Sequence, residues 1–213
     1  MKSLVWTKPE WMEIQQSAEP EILQDEVLLK VDAAGICGSE LEGYLGHNSL
    51  RFPPLVMGHE FSGTIEGVGS QVEGLLKGQK TVVNPLSSCG ICAFCRKGLV
   101  QLCKERSIIG IHRPGAFADY VSVPASSIHI IPDSLNPYRA SLTEPLACSL
   151  RAVRRAMANH PFSNVVVFGA GTIGLLSFLV ARILGASRVV VVDLNEERLK
   201  TPERLELTER SVR

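Results

Sequence analysis

Between Pro85 and Cys103 the chain reads P-L-S-S-C-G-I-C-A-F-C-R-K-G-L-V-Q-L-C, which places Cys89, Cys92, Cys95 and Cys103 within fifteen residues. Two residues separate each of the first three cysteines, and a seven-residue arm returns the fourth. A tetrahedral zinc ion takes soft ligands at about 2.3 Å, and short Cys-x-x-Cys turns let successive thiolates converge on one ion. Four thiolates close the coordination sphere, so such a site holds a loop together and performs no chemistry. The competing readings are a disulfide cluster or free core cysteines. A secreted disulfide scaffold is usually small and carries a signal peptide. The opening M-K-S-L-V-W-T-K-P-E has no apolar segment of that length. A structural zinc lobe is the expectation.

A formal net charge of zero gives nucleic acid or an anionic membrane no electrostatic advantage as a partner. No run of about 18 apolar residues is present, so no membrane span is expected. Six cysteines without a signal suggest a reducing compartment, and the cytoplasm is the expected location.

Residues 1–155 show short strand patterns with turn punctuation and little helical periodicity. Val27–Val31, Thr64–Val68, Lys80–Asn84 and Phe117–Val123 are predicted strands, with glycines before or around the last three. An irregular barrel-like β domain fits this pattern. The character changes near Ala140, where an Ala-, Leu- and Arg-rich stretch predicts a helix beginning near Pro145, a residue tolerated in a first turn. Residues 156–200 then read as β-α-β: the apolar run Val165–Phe168, G-A-G-T-I-G at Gly169–Gly174, a helix to about Leu184, and a second apolar run Val189–Val192 closed by Asp193. Residues 201–213 are a charged tail with no third strand pattern.

Three separated pieces could form a second metal site: Cys37 in G-I-C-G-S-E, His59 and Glu60 in M-G-H-E-F-S-G, and Glu144 in T-E-P-L-A-C. Thiolate, imidazole and carboxylate together suit zinc, and three protein ligands leave a position open for water or substrate. Each piece alone reads equally as buried structure: a core cysteine, or a hydrogen-bonded core histidine.

G-H-E-F-S-G, the four-cysteine lobe, E-P-L and G-A-G-T-I-G, in this order, resemble the zinc-dependent medium-chain dehydrogenases. G-I-C-G-S-E and T-E-P-L are similar to the sorbitol, polyol-phosphate and threonine dehydrogenase branch. The resemblance implies an α+β N-terminal catalytic domain with a GroES-like irregular barrel, followed by the start of an α/β Rossmann domain. It implies one structural and one catalytic zinc, the latter held by Cys37, His59 and either Glu60 or Glu144. It implies a small-molecule secondary alcohol as substrate, NAD as hydride acceptor, and assembly into dimers or tetramers. Ser39 would pass the substrate proton toward solvent, with Glu42, His47 or water as the next station; many relatives carry histidine where this chain has Glu42. Alone, Ser39 reads as a turn residue near a helix N-terminus.

A lone G-x-G-x-x-G is weak, but here it follows an apolar strand, opens a helix and has an acid at the end of the next strand. Gly169 would make the tight turn, Gly171 let the backbone approach a pyrophosphate and Gly174 let helix and strand pack closely. Thr172 and Ile173 would open the helix at whose N-terminus the phosphates sit. Asp193 would bind the adenosine ribose and disfavour a 2′-phosphate, while Arg198 nearby could accept one. Asp193 could also be only a helix cap. Because two strands and one helix fall short of a doubly wound sheet, a truncated or frameshifted, catalytically silent zinc protein is the competing expectation.

Overall fold

The computed structural model describes residues 1–204, so the predicted charged tail lies outside the described residues from Leu205 onward. The chain divides into two compact units, Met1–Glu144 and Pro145–Arg213. This division and the boundary read from the sequence at residue 155 fall at opposite ends of one helix, Thr143–Met157.

The first unit opens with an antiparallel hairpin of β1 (Lys2–Lys8) and β2 (Trp11–Gln16), whose partner on the other side of β1 is β4 (Leu55–Val56). Trp6 is buried there against Leu55 and Met57. β3 (Glu26–Ala34) is an interior strand of a five-stranded antiparallel sheet, flanked by β5 (Phe61–Val68) and the edge strand β9 (Tyr120–Pro124); β6 (Lys80–Val83) and β10 (Ile128–Ile130) extend the sheet beyond β5. Alternating residues Val27 and Leu29 point inward with Phe61, Ile65, Val121 and Val123, the period-two pattern of a half-buried strand. The predicted strand from Phe117 begins only at Tyr120, because Phe117 and Ala118 serve another partner. The Phe117 carbonyl accepts the Leu4 N–H at 2.8 Å, and Ala118 bridges Ser3.

Between these strands sit α1 (Gly38–Tyr44), a small ladder of β7 (Leu86–Ser87) with β8 (Ser107–Ile108), α2 (Ala93–Arg96) and α3 (Pro137–Ala140). Asn136 caps α3 by accepting the Tyr138 N–H, with Pro137 at the first helical position.

The second unit contains α4 (Thr143–Met157), β11 (Asn164–Phe168), α5 (Thr172–Ile183), β12 (Arg188–Val192) and α6 (Glu196–Arg204). β11 and β12 run parallel with Val165 opposite Val189 and Phe168 opposite Val192. Val153, Met157, Phe178, Ala181, Val189, Val191 and Leu199 form its core. Pro145 lies in the first turn of α4, as its fixed φ and missing N–H permit. Among the described residues no helix is long and apolar enough to cross a membrane.

Candidate functional site

The lobe between β7 and β8 brings its cysteines together. Sγ–Sγ separations are 3.5 Å for Cys92–Cys95, 3.6 Å for Cys89–Cys103 and 3.9 Å for Cys89–Cys95. Thiolates at about 2.3 Å from one tetrahedral centre stand about 3.8 Å apart, so the four sulfurs fit a zinc ion. Backbone N–H groups of Ile91 and Cys92 hold the Cys89 thiol down to about 7, favouring the ligating form. Cys92 also caps α2, its sulfur accepting the Cys95 N–H at 3.5 Å.

The second constellation is built where β3 ends and β5 begins. Cys37 is the N-cap of α1, and His59 and Glu60 lie just before β5, both buried. The Gly35 N–H donates to the Glu60 carbonyl at 2.7 Å and ties the two segments. Two overlapping groups of ligand atoms, each within 4.8 Å, share His59: Cys37 with Glu40 and His59, and His59 with Glu60 and Glu144. Glu40 is committed elsewhere. Its Oε1 accepts from His59 Nδ1 at 2.5 Å, and its Oε2 accepts the Cys37 N–H at 2.8 Å. Glu40 therefore backs the imidazole through Nδ1, leaving Nε2 as the ring nitrogen available to a ligand, while Cys37, His59, Glu60 and Glu144 are donor types of a zinc-compatible set.

The electrostatics match a site built for a cation. Burial alone would lower the His59 pKa, but hydrogen bonds to Cys37 and Glu40 outweigh it and raise the value to about 10. The same contact with His59 holds the Cys37 thiol below its ordinary value against the opposing effect of burial. Burial pushes the Glu60 carboxyl up, and the neighbouring Glu144 charge adds to this.

Ser39, in the first turn of α1, accepts from Arg51 Nη2 at 3.2 Å. Glu42 stands apart from this cluster: its Oε2 pairs with His47 Nδ1 at 3.7 Å, and both side chains are exposed.

In the glycine-rich loop after β11, Gly169 has φ +98°, and Gly171 is the N-cap of α5, whose first residues are Thr172, Ile173 and Gly174. A Cβ on Gly174 would lie 1.7 Å from the Gly169 carbonyl oxygen, so only glycine lets strand end and helix meet there. Asp193 Oδ2 accepts the Ala170 N–H at 2.7 Å and Oδ1 the Asn195 N–H at 2.8 Å; these bonds hold its carboxyl below the usual range. Arg198 lies 3.9 Å from Asp193. The cap of α6 is Asn195, which accepts the Glu197 N–H at 2.9 Å.

Two residues at the second constellation escaped the sequence reading. Glu40 was visible as an acid three positions after Cys37, the spacing of a capping box. Arg51 carries no local signal; only the folded loop brings it to Ser39 and Glu40.

Residues 23–133 match the alcohol dehydrogenase GroES-like domain. The chain is 38% identical over 208 residues to the L-galactonate-5-dehydrogenase of Escherichia coli K12, covering 97% of this chain and 60% of that protein. It is 39% identical over 212 residues to an L-threonine 3-dehydrogenase of Chelativorans sp. BNC1, covering 96% and 60%. Among solved structures, a Sinorhizobium meliloti 1021 protein described as a zinc-binding dehydrogenase and bound to NADP superposes with a TM-score of 0.89 at 34% identity, covering 95% of this chain and 59% of that one. The chain thus spans about 60% of the length of these relatives. With the domain match covering more than half of the described fold and the relatives aligned along nearly all of it, the chain belongs to the alcohol dehydrogenase family with a GroES-like domain.

Proposed function

We propose that this chain carries the zinc and nucleotide sites of an NAD(H)-dependent oxidoreductase that interconverts a secondary alcohol and its ketone. The substrate class is a polyol, a sugar alcohol or its phosphate, or an amino-alcohol such as threonine, in line with the substrates named for the relatives. The reading is carried by one observation: His59, its Nδ1 taken by Glu40, lies within 4.8 Å of Cys37 on one side and of Glu60 and Glu144 on the other. Cys37, His59 and one of the two glutamates would hold a zinc ion, whose Lewis acidity would lower the pKa of a substrate hydroxyl.

The remaining chemistry belongs to the chain's own groups. Arg51 occupies one lone pair of Ser39 Oγ, which leaves the O–H and a second lone pair to receive a proton and pass one on to water. The exposed Glu42–His47 pair lies five residues apart on the same segment and would take that proton toward solvent. The backbone N–H groups at the start of α5 would bind the pyrophosphate. Asp193, an anion at the end of β12, would accept the ribose hydroxyls and repel a 2′-phosphate, which favours NAD. The four-cysteine lobe would hold the structural zinc.

Elemental analysis tests the metal assignment. The chain is expected to hold two zinc ions, and Cys37→Ser combined with His59→Ala to hold one. Retention of both ions by the double variant would overturn the assignment.

A further inference from the structure

Arg51 lies in the loop between α1 and β4 with its side chain fully enclosed. Its Nη1 donates to the Ser39 carbonyl at 2.9 Å and its Nη2 to Ser39 Oγ at 3.2 Å, while Nη2 stands 3.5 Å from Glu40 Oε1. Its Nε has no hydrogen-bond partner. A buried guanidinium is costly unless paired, and a space-filling role at this position would be met by an apolar side chain without that cost. The charge is answered by Glu40, the same carboxylate that takes His59 Nδ1.

We infer that Arg51 is a positioning residue of the second metal centre. Its guanidinium holds Glu40 in place as the acceptor for His59 Nδ1–H, so that Nε2 faces the ligand set, and it fixes Ser39 with the same fork. The fork matters because one planar group reaches a carbonyl, a hydroxyl and a carboxylate around Cys37 at once; an ammonium is a point charge and reaches fewer. The loop leaves room for the stem only because position 43 is glycine: a Cβ there would lie 2.7 Å from Arg51 Cδ.

The inference rests on the zinc reading proposed above, and the test separates the two. Zinc-loaded wild type, Arg51→Met and Arg51→Lys are titrated with a chromogenic chelator that resolves the four-thiolate site from the second site. The hydrogen-bonded His59 Nδ1 proton is followed by NMR with and without zinc, assigned through its loss in His59→Gln. Arg51→Met is expected to weaken zinc at the second site by about 10- to 100-fold, the range for lost outer-shell partners, and to lose the slowly exchanging Nδ1 proton. The four-cysteine site serves as internal control and is expected to change by less than about twofold, since none of its ligands touches the Arg51 network. Arg51→Lys is expected to restore the proton signal and part of the affinity. Unchanged second-site affinity in Arg51→Met, or equal weakening of both sites, would overturn the inference, the latter by marking Arg51 as merely structural. If wild type holds a single zinc the metal reading fails, and the Nδ1 proton in zinc-free protein then decides: its survival in Arg51→Met overturns the inference.

Discussion

Gly58 precedes His59 with φ +102°, and a Cβ at this position would lie 2.7 Å from Phe117 Cδ1 and 2.9 Å from the Phe117 nitrogen. Both constraints act on the peptide that aims the imidazole. The Phe117 N–H donates to the Met57 carbonyl and the Ala116 N–H to the Gly58 carbonyl, each at 2.9 Å, so the strand entry cannot slide away to make room. Replacing Gly58 with alanine adds a left-handed backbone cost of about 1–2 kcal/mol and an overpacking cost of about 1–3 kcal/mol. Gly58→Ala is therefore expected to destabilise the first unit by about 2–5 kcal/mol. Urea denaturation followed by the fluorescence of Trp6 and Trp11, both in the first unit, would show this as a lowered midpoint at constant slope; an unchanged midpoint would contradict the geometry.

At the scale of elements, the four-cysteine lobe has little else to hold it. Of its residues from Cys89 to Cys103, only Cys103 is buried, while Ile91 and Phe94 are exposed. A segment that buries so little apolar surface depends on its crosslink for order. Zinc removal by a chelator is expected to open cleavage at Arg96 and Lys97 by trypsin, with protection returning on zinc addition; resistance in the metal-free chain would show that packing alone suffices. The direction with pH follows from the ligands. All four thiols must be deprotonated to ligate, and while Cys89 is held near 7, Cys103 is pushed up to about 11, so zinc retention and with it protection are expected to fall progressively as the pH drops. The convergence of this lobe was legible from spacing alone, because all four cysteines lie in one short run. β11 and β12 were legible for a similar reason, as the parallel pair reads as two uninterrupted apolar runs. The hairpin of β1 and β2 was not anticipated, since its anchor, Trp6, is buried by Leu55 and Met57 from a distant segment. The capping-box spacing shows Glu40 as a local cap of α1, but its bond to His59, 19 residues on, and Arg51's contact with it, 11 residues on, carry no local signal, because only the return of the loop to β5 joins them.

At the scale of the whole molecule, the two units differ in how fully their secondary structure is covered. The first surrounds β3 with sheet on both sides and a buried core. In the second, the described sheet has two strands, and its apolar side chains are unevenly enclosed: Val189 and Val191 are buried, but Val166 is 53% and Phe168 83% exposed. Parallel strands are normally covered on both faces, and a two-stranded sheet is at best marginal in water. The glycine loop and Asp193 depend on this pair for their positions, because Gly169 N–H donates to the Val192 carbonyl at 2.7 Å and Asp193 reaches back to Ala170. Local opening of β11 from β12 would therefore scatter the proposed pyrophosphate and ribose contacts together, and a ligand must repay that ordering before any affinity is seen. For the 213-residue chain made by itself, NADH titration followed by nucleotide fluorescence is expected to give no saturation in the micromolar range, whereas the chelator-sensitive zinc of the first unit is retained. Saturable binding with a dissociation constant near about 1 µM, a free energy of about −8 kcal/mol, would mean that the two-stranded unit is ordered enough to present its loop unaided.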